Sequence, residues 1–124
     1  MRKMTYEELL MYHEIALEFE GVEGILNESM LHSAINNPYA TAFGEELYPT
    51  NEEKIAMTVF SLIKGHGFRD ANKRTGILIL KAMLFHAEIN IEATDDDYIQ
   101  LALDIATSKY TKEDIVNWIN KFKI

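Results

Sequence analysis

Apolar residues near the start of the chain recur every three to four positions, the period of a helix with one face turned inward. Leu9, Tyr12, Ala16 and Phe19 make the first such stripe. Thr5 with Glu8 has the spacing of a capping box in front of it, and Gly21 and Gly24 predict its end. A second helix is predicted over Glu28 to Asn36, stopped by Asn36-Asn37-Pro38. Residues 38–50 lose the helical period and hold both prolines and three exposable aromatics, which predicts a surface loop or short hairpin. Thr50 with Glu53 caps a third helix with Ile55, Ala56, Val59, Phe60 and Ile63 on one face, ended by Gly65. From Thr75 to Ala87 the chain is apolar almost all round (Ile77, Leu78, Ile79, Leu80, Met83, Leu84, Phe85), as in a central buried helix. Asp95 opens a fifth helix reaching about Thr107, and Thr111 a sixth ending near Phe122. Without strand alternation, repeats or a linker, the expectation is one all-α domain over residues 1–124, a compact bundle of about six helices around a central buried helix.

Composition narrows the chemistry. There is no cysteine, which excludes disulfides, a thiol nucleophile and a zinc–thiolate site. The N-terminus runs straight into an amphipathic pattern without the apolar core of a signal peptide. No run approaches the roughly 18 apolar residues of a membrane span. The expectation is a soluble, cytoplasmic protein with no membrane partner. A net charge of −8 opposes direct nucleic-acid binding, which needs a cationic face to displace phosphate counterions. Yet Lys64, Arg69, Lys73 and Arg74 lie close together, and a basic pocket on an acidic protein suits a small anion or an acidic peptide.

That cluster belongs to the stretch from His66 to Thr75, which joins two predicted core helices. Backbone N–H groups at the start of the second helix lack intrahelical partners, and the macrodipole there is positive, so phosphate oxygens fit. Ala71 and Asn72 are compatible with a turn that aims those amides inward, and Asn tolerates left-handed geometry. Lys73 adds charge, and Arg74 can grip two phosphate oxygens at once. Asp70 can bind Mg²⁺, which takes one or two carboxylates plus substrate phosphates. His66 has the intrinsic pKa of a general base near neutral pH. A polar connection whose Asp and Asn cap a helix and whose cations are solvated accounts for the same residues.

The order of the residues separates these readings. His-x-Phe-x-Asp-Ala-Asn-Lys-Arg resembles the signature of the Fic/Doc superfamily, specifically its death-on-curing (Doc) toxin branch, with Lys73 where Fic adenylyltransferases carry a second glycine. The run Leu31 to Pro38, the run Glu45 to Thr50 and the overall length resemble Doc proteins too, over roughly residues 20–120. The resemblance implies the Fic/Doc-like fold and ATP with Mg²⁺ as cofactors. It implies His66 as the base that takes a proton from a target hydroxyl and Phe68 as the structural anchor of the motif. Asp70 would be the metal ligand, Ala71, Asn72 and Lys73 the anion-binding nest, and Arg74 the charge stabiliser on the transferring group. Residues 38–50 would be a flap aligning the target polypeptide. A Doc protein is expected to transfer the γ-phosphate to a Ser/Thr of elongation factor Tu and so inhibit translation. A Fic-type adenylyltransferase and a catalytically silent antitoxin-binding module are the alternatives. Gly67 departs from the proline usual in Fic proteins, which bears on loop rigidity. The inhibitory Ser/Thr-x-x-x-Glu-Gly/Asn pattern has no match, Thr41 to Glu45 coming closest. Control in trans is therefore expected, by a Phd-like antitoxin whose C-terminal helix lies in a groove of the toxin.

Other signals carry less. His13-Glu14 begins like a zincin helix, but Leu17 stands where the second His belongs. His32 and His86 read as packing or surface residues, and Asp95 to Asp97 as helix N-terminal charges. Trp118 with Ile115, Ile119 and Phe122 reads as a core stripe.

Overall fold

Four of the six helices start at a Thr whose side chain accepts from the N3 amide while the N3 carboxylate reaches back to the cap amide. In the computed structural model, which describes residues 1–124, these are α1 (Tyr6–Leu17), α3 (Asn51–Lys64), α5 (Asp95–Ala106) and α6 (Lys112–Phe122). Each such cap stabilises its helix by about 1 kcal/mol. Asn27 caps α2 (Glu28–Asn36), accepting from Met30 N. Only α4 (Asn72–His86) starts with no side-chain cap. It begins three residues before the sequence expectation, inside the polar stretch itself.

The six-helix, all-α expectation holds. The central helix is α3, which packs against α2, α4, α5 and α6. Its Ile55, Ala56, Val59, Leu62 and Ile63 are buried, and Phe60 only half so. The run at 75–87 is not buried all round: Ile79, Leu80, Met83 and Leu84 face the core, Ile77 and Leu78 are half-exposed, and Phe85 is 79% exposed. Phe19 differs as well: α1 ends at Leu17, and Phe19 stands exposed in the turn beyond. On α6, Ile115, Trp118 and Ile119 are buried, as the stripe predicts.

Residues 38–50 form the short hairpin, entered through a single 3-10 turn at Asn37–Tyr39 with Pro38 buried. Strands β1 (Thr41–Ala42) and β2 (Glu45–Glu46) pair antiparallel, Thr41 opposite Glu46. The two-residue turn has φ 53° at Phe43 and 79° at Gly44. That is the type I′ geometry matching strand twist, but it puts a bulky side chain in a left-handed conformation. The Phe43 side chain is fully exposed, so no packing within the chain offsets that cost.

Candidate functional site

The helices deliver the polar stretch to one place. α3 closes on Gly65, and His66 follows in the left-handed region (φ 49°), exposed at the end of the helix. A second left-handed residue, Ala71 (φ 63°, ψ 25°), stands directly before α4. Each such non-glycine residue costs about 1–2 kcal/mol, so the loop is held by its surroundings rather than by its own preference.

Those surroundings are specific. Gly67 O accepts from Leu26 N (2.8 Å) and Asn27 N (3.1 Å), and Arg69 N donates to Gly24 O (2.9 Å), so residues 24–27 run alongside the loop like a strand. A Cβ on Gly67 would fall on the Leu31 side chain and on Met30 Sδ. The missing proline therefore has a cause: there is no room for it, and the carbonyl bonds supply the rigidity instead. Phe68 is buried beneath the loop. Asn72 spans the loop, its Oδ1 accepting from Phe68 N (3.2 Å) and its Nδ2 donating to Phe68 O (2.9 Å). The left-handed turn thus falls on Ala71, and the Asn72 side chain serves as a clamp.

Beyond Ala71, Thr75 N is the first amide to find a carbonyl one turn back (Ala71 O, 2.9 Å). The amides of Asn72, Lys73 and Arg74 precede it and lack intrahelical acceptors. Every other α-helix here carries an acidic residue in its first turn; α4 carries none and has Lys73 and Arg74 instead. Cations at a helix N-terminus add to its positive end, an arrangement that an anionic ligand relieves.

Asp70 completes the site. Its Oδ1 accepts from Ala71 N (2.8 Å) and its Oδ2 from Val22 N (3.1 Å). These two amides, with smaller help from Arg74 and His13, hold its carboxyl below the usual range. Each oxygen keeps a free lone pair. No group of three or more His, Asp or Glu side chains gathers to hold a metal. Asp70 alone fits Mg²⁺ only together with phosphate oxygens and water, the usual manner of that ion at nucleotides. Arg74 is partly engaged: Nη1 donates to Ala16 O (2.6 Å) at the end of α1, leaving the rest of the guanidinium for a ligand.

His66, Arg69, Asp70, Ala71, Asn72, Lys73 and Arg74 line one cleft of about 420 Å³, with Glu20, Ile63 and Ala106 completing its wall. All the candidate residues except the buried Phe68 are thus brought together. Lys73 and Arg74 also close one end of a second, apolar cleft of about 340 Å³ between α1, α4 and α5, lined by Phe19, Ile77, Leu78, Ile99 and Leu103 among others.

Two supporting residues escape the sequence reading. His13 is 5% exposed, stacks on Phe68 (3.6 Å between centroids, 5° between planes), and its Nε2 donates to Asp70 O (3.0 Å). It holds the loop from below. Its place with Leu9 and Ala16 on the inward face of α1 is the signal that could have found it. Gly21 (φ 129°) is more than a helix stop, since a Cβ there would lie 3.1 Å from Asp70 Oδ2 and 3.0 Å from Leu17. Its bareness admits Val22 N to the carboxylate.

A sequence model described as the Fic/DOC family matches residues 3–84, from the N-terminus through most of α4. The chain is 28% identical over 87 residues to a protein named Toxin Doc from Mycolicibacterium smegmatis (strain ATCC 700084 / mc(2)155), covering 65% of this chain and 67% of that one.

Proposed function

The chain belongs to the Fic/DOC family, and from that premise we propose that it is a Doc-type toxin that transfers the γ-phosphate of ATP to a hydroxyl of a protein, with elongation factor Tu as the acceptor. The observation that carries this reading is the cleft at the start of α4, where free amides, two cations and a carboxylate meet an exposed imidazole.

In this reading the amides of Asn72, Lys73 and Arg74, with the Ala71 turn in front of them, receive phosphate oxygens at the positive end of α4. Arg74 bonds the transferring group and counters its charge as the bond to the leaving oxygen lengthens. Asp70 would hold Mg²⁺ with the nucleotide's phosphates, and the ion would neutralise phosphate charge. His66 accepts the proton of the acceptor hydroxyl. The hydroxyl oxygen bonds to the γ-phosphorus, the bond from that phosphorus to the β-bridging oxygen breaks, and ADP leaves. Phe68 anchors the loop through which these groups are aligned.

Lys73 supports phosphoryl over adenylyl transfer. A glycine there lets the backbone approach a diphosphate closely, whereas Lys fills that space and adds a charge. The exposed, strained Phe43 at the tip of the hairpin supports a flap that meets an acceptor. For control, the apolar cleft suits the helix of a Phd-like antitoxin: a helix seated there would lie against Lys73 and Arg74 and so act on the phosphate site. Genetically, a short upstream reading frame should encode it. No helix is long and apolar enough to cross a membrane; a cytoplasmic place of action is part of the proposal.

The test uses ATP labelled at either the α or the γ position, with Mg²⁺ and elongation factor Tu. The expected result is label on the factor from γ-labelled ATP only. Label from α-labelled ATP would make the protein an adenylyltransferase. Label from neither would remove this factor as the acceptor.

A further inference from the structure

Lys54 is the only buried lysine of the chain, 5% exposed. It stands at the fourth residue of α3, near the end where a helix dipole disfavours a cation. Burying an ammonium is unfavourable unless it is paired and hydrogen-bonded. Helix stability does not explain it.

Its partners do. The Nζ lies 3.0 Å from Glu46 Oε1 on β2, donates to Tyr48 O just beyond the hairpin, and sits 5.7 Å from the centre of the Tyr39 ring just before it. One ammonium thus ties the entry, the second strand and the exit of the segment at 39–48 to α3. The hairpin has little else of its own: two residue pairs and the bond from Leu47 N to Ala40 O (3.0 Å). Such a small ribbon is marginal by itself in water.

We propose that Lys54 is a positioning residue for the acceptor protein. It fixes the hairpin on the same rigid helix that ends at Lys64, two residues before His66 and roughly 15 Å further along the axis at 1.5 Å per residue. The flap and the base are then set by one element, and an acceptor lying on the hairpin meets His66 in a defined place. This rests on the reading of the hairpin as a flap and names the residue that makes the flap rigid.

The test compares wild type with Lys54→Met, which keeps the stem and removes the charge, and with Glu46→Gln, whose half-exposed side chain loses its charge but keeps an oxygen that can accept from Lys54. Hydrogen exchange should show the hairpin amides of Ala42 to Leu47 opening roughly tenfold faster in Lys54→Met, with those of α4 unchanged, and a smaller rise in Glu46→Gln. Initial rates against acceptor concentration should show KM for the acceptor raised by about tenfold, kcat held within about twofold, and unchanged affinity for ATP with Mg²⁺. If Lys54→Met does not fold, Glu46→Gln carries both readouts. Unchanged hairpin exchange would overturn the proposal, as would faster exchange with an unchanged KM. Wild-type protein that transfers nothing to any acceptor would overturn the flap reading itself. That failure stays distinguishable, because the exchange data report on the hold of Lys54 over the hairpin without any catalysis.

Discussion

The Fic resemblance leads one to expect proline at position 67, which would make Gly67→Pro a stabilising change. The structure predicts the opposite. A Cβ at Gly67 meets Leu31 Cδ2 and Cγ and Met30 Sδ. Met30 is flexible and half-exposed and can give way, but Leu31 is 0% exposed and packed in the core. Forcing an atom into such a contact costs about 1–3 kcal/mol. For 124 residues, an unfolding entropy of about 2.1 cal/mol/K per residue gives about 0.26 kcal/mol/K, so Tm should fall by about 4–12 °C. Gly67→Ala isolates the Cβ and should show most of the fall, whereas Gly67→Pro adds ring atoms and should fall further. Gly44→Ala is the control for conformational strain alone, because nothing lies within 4 Å of its Cβ position while its φ is 79°; it should cost only about 1 kcal/mol. Thermal melts followed by circular dichroism decide the matter. A Gly67→Pro protein as stable as wild type, or more so, would refute the packing of α2 against the loop.

Three further outcomes follow from the same geometry. His13→Ala removes a hydrogen bond to Asp70 O and a ring stack on Phe68, and should cost about 2–4 kcal/mol in urea denaturation. It should also weaken ATP binding, measured by calorimetry; full nucleotide affinity would show that the loop keeps its shape without His13. In acid, Asp70 and Glu8 are both held below their ordinary values, by backbone amides and by the Arg2 guanidinium respectively, with Glu8 lowered from 4.5 to about 2. Groups depressed in the folded state stabilise it above their unfolded pKa and cease to do so as pH falls through the folded one. Stability should therefore decline from pH 4.5 towards about 2, and a Glu8→Gln, Asp70→Asn double variant should lose less over that range in denaturant titrations. Leu78→Glu, on the half-exposed wall of the apolar cleft, should change stability by no more than about 0.5 kcal/mol. It should abolish neutralisation by the antitoxin in co-expression, and retained neutralisation would move the partner elsewhere.

Most helix ends were legible because they are written locally: a Thr with an acid three residues on fixes four of the starts, and glycine or Asn-Pro marks stops. The motif gathered its own residues because ten consecutive positions, six in the loop and four in the first turn of α4, cannot stray far. What the sequence hid depends on distant neighbours. Phe85 and Leu78 are as apolar as Leu80, and only the placement of α1 and α5 decides which of them stay exposed. The early start of α4 at Asn72 follows from a left-handed Ala71, a geometry that composition assigns more readily to Asn. His13 reads as an isolated histidine until α1 is laid beneath residues 68–70. Lys54 likewise looks like a solvated helix charge until the hairpin folds over it.

The central claim is that this loop moves a phosphoryl group to a protein hydroxyl through His66. The most direct measurement is the intact mass of elongation factor Tu after incubation with the protein, ATP and Mg²⁺, beside a His66→Ala control. The account predicts a gain of one phosphate with the wild type and none with the variant. A gain that persists in His66→Ala would contradict the role of the histidine, and a gain of one adenylate would contradict the phosphoryl transfer.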